Sequence, residues 1–135
     1  MPTGGCQCGA VRYEMGDAPL HHAYCHCTDC RRSAGAPLVS WAMFPADDVK
    51  LLSGEPKVHA SSEHGRRHFC STCGTGLFYI NEEMLPGMID VQTATLDEPD
   101  AFPAPDAHIQ VADRIVWMKD AHRKPEFDRY PPMDD

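Results

Sequence analysis

The hydrophobic pattern of the chain consists of short apolar or alternating runs separated by glycine, proline and aspartate. Alternation with a period of two is typical of β-strands that bury one face, and turn residues between such runs indicate frequent chain reversals. The pattern predicts strands over residues 10–15, 20–26, 38–44, 49–52, 57–61, 67–69, 77–80, 88–93, 108–111 and 115–118.

Helical signals are weak along the whole sequence. No segment carries apolar residues at helical spacing over three turns, and residues 45–48 and 95–102 each have room for one short turn. We therefore predict a mainly β, single domain over residues 1–130, followed by a frayed acidic tail over residues 131–135.

Composition and charge narrow the classes of function. Of the 135 residues, 42% are hydrophobic and 24% charged, as in a globular domain, and the formal charge is −8. Nucleic-acid binding needs a dense basic face, which an acidic chain with isolated arginine doublets does not offer. No apolar run approaches the roughly 20 residues that span a bilayer, and the N-terminus has no signal-peptide pattern. We therefore expect a cytoplasmic protein without nucleic-acid or membrane partners.

The strongest chemical signal is the cysteine content. An odd number of cysteines excludes a complete disulfide framework, and disulfides do not persist in a reducing cytosol. Pairs spaced C-x-C or C-x-x-C can converge on one ion, and thiolates are preferred ligands of zinc. The seven cysteines lie in three tight groups, which are Cys6-x-Cys8, Cys25-x-Cys27-x-x-Cys30 and Cys70-x-x-Cys73.

The count of seven suggests two zinc sites of different kinds. A structural zinc site takes four protein ligands, whereas a catalytic one takes three and keeps one position open. The two pairs would make a closed site from Cys6, Cys8, Cys70 and Cys73, which leaves Cys25, Cys27 and Cys30 for an open site. This division follows from number and spacing alone, so other pairings stay open at this point.

Other interpretations of the cysteines and their neighbours fit less well. Buried free thiols would not cluster so tightly, and a redox C-x-x-C opens a helix, whereas Cys73 is followed by Gly-Thr-Gly. Zinc deaminases carry a His-x-Glu motif that this sequence lacks. The histidines near cysteines (His26, His64 and His68) are better explained as surface or supporting groups than as ligands. Arg31 and Arg32 follow Cys30 and are either solvated or hold a substrate anion, a role for which Arg66 and Arg67 are also candidates.

Three motifs together resemble the glutathione-dependent formaldehyde-activating (GFA) family, also described as CENP-V/GFA-type domains. The motifs are GCQCGAVRY at residues 5–13, CHCTDCRRSAG at 25–35 and FCSTCGT at 69–75, with further similarity at TLDEP (95–99) and around Trp117. The resemblance implies an Mss4-like (β-tent) fold of antiparallel sheets. It also implies the same grouping of four structural and three active-site cysteines, with two zinc ions per chain.

The activity that this resemblance implies is that of S-(hydroxymethyl)glutathione synthase, a carbon–sulfur lyase that joins formaldehyde to the thiol of glutathione. Coordination to zinc deprotonates a thiol, so an open three-thiolate site suits thiol chemistry better than hydrolysis. The alternative is a non-enzymatic zinc-binding interaction or chaperone module of the same fold. Such a module needs only the closed site, and the additional triplet therefore favours an enzyme.

Overall fold

The computed structural model describes residues 1–132, so residues 133–135 of the predicted tail lie outside the described part. Ten strands form two sheets, and nine of the ten predicted strands are found with bounds that differ by a few residues. The small sheet has the order β1–β2–β5 and consists of β1 (Thr3–Gly5), β2 (Arg12–Met15) and β5 (Val49–Ser53).

The large sheet has seven strands in the order β10–β3–β4–β9–β8–β7–β6. Its pairings are antiparallel except for β10, which runs parallel to β3. Its strands are β3 (His21–Cys25), β4 (Val39–Pro45), β6 (Lys57–Ala60), β7 (Gly65–Phe69), β8 (Gly76–Asn81), β9 (Met88–Gln92) and β10 (Ala107–Ile109). The predicted mainly β architecture with few helical turns is thus confirmed.

Helical structure is short, with one α-helix, α1 (Thr28–Ala34), among residues 1–132. The turn expected at residues 45–48 is present as a 3₁₀-helix, and residues 95–102 contain another. The 3₁₀-helices are Ala46–Asp48, Thr93–Thr95, Pro99–Ala101, Val111–Asp113, Val116–Met118 and Ala121–Arg123. The strand predicted over residues 115–118 is wrong, because this segment forms a 3₁₀-helix whose Val116 and Trp117 are exposed and pair with no neighbouring strand.

The two faces of the large sheet have different surroundings. Side chains alternate across a strand, so Ala42 and Phe44 point to one face while Trp41 and Met43 point to the other. The first face packs with Tyr13 of the small sheet to form the main core. The second face carries a separate cluster built around cysteines, and it is this face that positions the second candidate site described below.

Candidate metal centres

Four cysteine sulfurs converge where the N-terminal strand meets the loop after β7. The Sγ atoms of Cys6, Cys8, Cys70 and Cys73 all lie within 4.8 Å of one another. The Cys6–Cys8 and Cys8–Cys70 sulfurs are 3.7 and 3.8 Å apart. Four sulfurs placed tetrahedrally about 2.3 Å from zinc would be separated by about 3.8 Å. The spacing of these thiols therefore fits a tetrahedral metal ion.

Two similar turns hold these four thiols in place. In the first, Gly9 donates its N–H to the Cys6 carbonyl, and in the second Gly74 donates to the Cys70 carbonyl. Both glycines have φ of +83°, a conformation that side chains with a Cβ rarely adopt. Backbone N–H groups also point at the sulfurs, as from Cys73 to Cys70 Sγ at 3.5 Å. These donors favour the thiolate form that a metal needs.

The remaining three cysteines form a second cluster, the triplet Cys25, Cys27 and Cys30, whose Sγ atoms also lie within 4.8 Å of one another. Cys25 is the last residue of β3, and Cys27 is the N-cap of α1. The Cys27 sulfur accepts a hydrogen bond of 3.2 Å from the backbone N–H of Cys30, as a serine or aspartate cap would. The cap therefore starts the helix and brings two of the sulfurs together.

A buried arginine from the large sheet contacts the triplet. Arg67 of β7 is only 8% exposed, and its Nη2 lies 3.6 Å from Cys30 Sγ and 2.6 Å from the carboxylate of Asp29. Its guanidinium also stacks over the ring of Tyr79 at 4.9 Å. Hydrogen bonds from Cys25, Cys27 and Arg67 lower the pKa of Cys30 to about 5, despite its burial. Arg67 therefore stabilises negative charge at this cluster.

The triplet opens onto a cavity of about 400 Å³ on the second face of the large sheet. Most of the wall is apolar, with a few polar groups near the sulfurs. Besides the three cysteines, the lining residues are His21, Ala23, Asp29, Trp41, Met43, Arg67, Tyr79, Asn81, Met84, Leu85, Asp90, Ile109 and Gln110. A cavity of this size beside a three-thiol cluster has room for a small-molecule ligand.

Arg31 and Arg32 line a different depression, together with Ile115 and Trp117. The Arg31 guanidinium donates to the hydroxyl of Thr28. Their predicted part in holding a substrate anion stays a prediction, and the arginine that lines the triplet cavity is Arg67.

The histidines do not join either ligand group among residues 1–132. His26, between Cys25 and Cys27, is 1% exposed, and its Nε2 lies 2.9 Å from Nδ1 of His108. His64 lies at the surface beside Glu63. The imidazole of His26 therefore supports the loop that carries the triplet, without contributing a ligand atom.

Two cavity residues, Tyr79 and Asp90, were not identified from the sequence. Asp90 left a weak signal, because it places a charged residue between the apolar residues Ile89 and Val91 of a strand. Tyr79 gave none, since an aromatic residue is ordinary in a strand. Both were missed because their approach to the triplet depends on the pairing of strands that are distant in sequence.

The fold and the two clusters define a class of protein, a small β domain with one four-thiol and one three-thiol group that could each hold a metal ion. Residues 1–113 match the family described as glutathione-dependent formaldehyde-activating enzyme. The chain belongs to this family, as the motifs of the sequence indicated. No helix among residues 1–132 is both long and apolar enough to cross a membrane.

Individual relatives agree with this assignment at low sequence identity. A putative glutathione-dependent formaldehyde-activating enzyme of Halomonas elongata is 24% identical, over 95% of this chain and 87% of its own. An uncharacterized lyase of Schizosaccharomyces pombe is 26% identical, over 73% of this chain and 82% of its own. A crystal structure of a Rhodobacter sphaeroides protein is similar in fold, with a TM-score of 0.59 and 23% identity. It covers 76% of this chain and 97% of its own. The family and the names of these relatives support an enzyme with lyase-type activity.

Proposed function

We propose that the protein is a zinc-dependent carbon–sulfur lyase that joins a small-molecule thiol such as glutathione to formaldehyde or a similar aldehyde, and reverses the reaction. The observation that carries this proposal is the difference between the two clusters. The four-thiol group has its full set of ligands, whereas the three-thiol group has one ligand fewer and opens onto a cavity of about 400 Å³.

In this proposal Cys6, Cys8, Cys70 and Cys73 hold a structural zinc ion. The triplet holds a second ion, which would keep a substrate thiol in its deprotonated, reactive form. Residues 1–130 would then act as one domain carrying both sites. We also keep the expectation of a cytoplasmic location, because exposed thiols such as that of Cys8 stay reduced there.

The chain's own residues would bind and orient the two reactants. The apolar wall formed by Trp41, Met43 and Ile109 excludes water from the reacting carbonyl carbon. Arg67 keeps the sulfur of Cys30 in its charged form and is itself held by Asp29. Positioning two reactants in one cavity can supply much of the acceleration of a reaction that also proceeds without a catalyst.

A glutathione titration of cobalt-substituted protein tests the proposal. We expect the thiolate-to-metal absorption to change as glutathione binds, and the change to be absent in Cys27→Ala and with S-methylglutathione, which has no free thiol. The exchange of formaldehyde with glutathione, followed by NMR, should exceed the uncatalysed rate with zinc-loaded protein. Two bound metals with neither response would contradict the enzyme and favour a binding module of the same fold.

A further inference from the structure

A row of five residues, paired with one another across neighbouring strands of the large sheet, lines the triplet cavity. The strand pairings place His21 opposite Met43, Met43 opposite Asp90, Asp90 opposite Tyr79, and Tyr79 opposite Arg67. Directly paired residues project to the same face of a sheet, and all five of these residues line the cavity. Asp90 therefore occupies the middle of the row, on the face that carries the cysteines.

Asp90 is a half-buried carboxylate without a protein partner. The three ion pairs among residues 1–132 do not include it, and no side-chain hydrogen bond in that range reaches it. The nearby cation, Arg67, is already held by Asp29 at 2.6 Å. A carboxylate that loses water without gaining a partner is unfavourable for stability, so its place in a cavity beside metal-ligand thiols indicates a role in function.

The surroundings of Asp90 also adjust its acidity. Burial raises the pKa of Asp90 to about 6, the negative charge of Cys30 adds to this, and His21 at the edge of the cavity acts in the opposite direction. The other charged or titratable groups facing the cavity are Asp29, Arg67, Tyr79 and the thiols of Cys25 and Cys27. A carboxyl group with a pKa near neutrality can both accept and return a proton under ordinary conditions.

We propose that Asp90 is the proton-transfer residue of this cavity, an inference that rests on the proposed thiol–aldehyde reaction. The carboxylate of Asp90 takes the proton from the substrate thiol. The thiolate sulfur then forms a bond to the aldehyde carbon, and the electron pair of the carbonyl π bond moves to the oxygen. Asp90 returns its proton to that oxygen, which gives a neutral thiohemiacetal with no net change of protons or electrons.

Other groups lining the cavity are less suited to this step. Asp29 is occupied by Arg67, and the hydroxyl of Tyr79 accepts a hydrogen bond from Asn81 at 3.1 Å. His21 is exposed to solvent at the end of the row, away from its centre. Asp90 alone combines partial burial, a free carboxylate and a central position on the cavity floor.

The test compares zinc-loaded wild type with Asp90→Asn, which keeps the size of the side chain and removes the proton-accepting group. Glu83→Gln is the matched control, because Glu83 is an exposed carboxylate that lines a separate surface depression. Calorimetric titration with glutathione at pH 7, in two buffers of different ionisation enthalpy, counts the protons released on binding. The negative charge of a thiolate bound beside Asp90 disfavours a second negative charge there, so part of the released proton stays on the carboxyl group. We therefore expect Asp90→Asn to release more protons than wild type, by up to one, and Glu83→Gln to match wild type.

Kinetics supply the second readout. The formaldehyde–glutathione exchange rate should fall by roughly 100-fold or more in Asp90→Asn, and the acidic limb near pH 6 of the wild-type profile should disappear. The role of Asp90 would be overturned if Asp90→Asn released as many protons as wild type, or if it kept both the wild-type exchange rate and the acidic limb of the pH profile. Either result would leave the lyase proposal intact. Wild type that binds glutathione without accelerating exchange would refute the lyase, and with it the return of a proton to the aldehyde oxygen, while the proton count would still decide whether Asp90 accepts the proton of the bound thiol. Wild type that does not bind glutathione would refute both.

Discussion

The two cysteine clusters are built in opposite ways. The four-thiol cluster joins two turns that are far apart in the sequence, with 62 positions between Cys8 and Cys70, and each turn is shaped by its own glycine and backbone N–H groups. The triplet comes from six consecutive residues, 25–30, but the cavity around it is lined by residues from six of the seven strands of the large sheet. In the four-thiol cluster the ligand residues are distant in sequence, whereas the groups that hold each ligand are close to it in sequence. In the triplet the ligand residues are close in sequence, whereas the residues around them come from distant strands.

This difference indicates which cluster stabilises the fold and which can be adapted for chemistry. A metal ion that links distant segments contributes its binding free energy to folding. An ion held within six consecutive residues closes only a short loop and contributes less to the free energy of folding. The surroundings of such an ion can therefore include a group that does not stabilise the fold, such as the half-buried, unpartnered carboxylate of Asp90. Substitutions that affect one cluster at a time can separate these roles.

The largest effect is expected from Cys70→Ala. Cys70 is 1% exposed and packs in the main core beside the other three thiols. Loss of a structural zinc ligand removes a contribution comparable with the whole stability of a small domain, about 5 kcal/mol or more, so the variant should be unfolded at 25 °C. Circular dichroism and bound zinc measure this. A folded variant that keeps only the triplet metal would contradict the structural role.

Cys27→Ala should affect metal content far more than stability. The variant loses a triplet ligand and the N-cap of α1, which costs about 1 kcal/mol. We expect bound zinc to fall from two ions to one while thermal unfolding shifts only slightly. Cys27→Ser, which can still cap the helix, is the matched control for the capping effect. If Cys27→Ala and Cys70→Ala unfold the protein equally, the division into four and three is wrong.

Arg67→Met should weaken metal binding at the triplet alone. The substitution keeps an apolar stem in a buried position but removes the contact with Cys30 Sγ at 3.6 Å. Groups that support metal ligands commonly affect affinity by roughly 10–100-fold, so we expect a loss in that range at one of the two sites. Competition with a chelating dye measures both affinities. Arg66→Met is the control, because Arg66 bonds to loop carbonyls away from the cavity, and equal losses in both variants would exclude a specific role for Arg67.

The smallest effect is expected from Asp97→Asn, near the N-terminal strand of the four-thiol cluster. Asp97 accepts from Arg12 at 2.8 Å and from Thr3 at 2.7 Å, and these contacts lower its pKa to about 2. Because the folded-state pKa is depressed, the ion pair stabilises the protein at neutral pH, and its contribution disappears as the pH falls from about 4 towards 2.

The groups of this ion pair are largely exposed, so we expect only a small decrease in melting temperature at pH 7. The decrease should shrink further as salt is added. A salt-independent decrease, or one larger than that of Cys27→Ala, would contradict an exposed ion pair and indicate that Asp97 orders the N-terminal strand directly.

Much of the fold could be predicted because apolar and polar residues alternate with a period of two along most of the strands. Two elements were missed for identifiable reasons. β1 (Thr3–Gly5) is three residues long with two glycines, so it has no alternating pattern to detect. α1 (Thr28–Ala34) has one buried residue and begins at a cysteine cap, so neither helical periodicity nor an ordinary cap residue marks it. Residues 115–118 are apolar, which led to the prediction of a strand, but Val116 and Trp117 at the centre of this segment are exposed.

The candidate site, like the fold, could be predicted from the sequence only in part. The groups of four and three cysteines could be predicted because each pair and the triplet are tightly spaced in the sequence, and because seven thiols divide into one closed and one open site. The cavity could not, because Arg67, Tyr79 and Asp90 come together only through the registers of β7, β8 and β9. A single sequence carries no record of those registers. The sequence therefore placed Arg31 and Arg32, which are adjacent to the triplet along the chain, ahead of Arg66 and Arg67 as residues that hold a substrate anion.

The separation between Cys8 and Cys70 also sets an order of events during protein synthesis. The ribosome adds about 5–20 residues per second, so Cys70 follows Cys8, 62 positions earlier, after roughly 3–12 s. During this time Cys6 and Cys8 have been synthesised but Cys70 and Cys73 have not. The triplet is complete after six residues. If the protein binds two metal ions as proposed, the nascent chain exposes all three thiols of the triplet before the four thiols of the first cluster can come together. The spacing of the cysteines would then set the order in which the two ions are acquired.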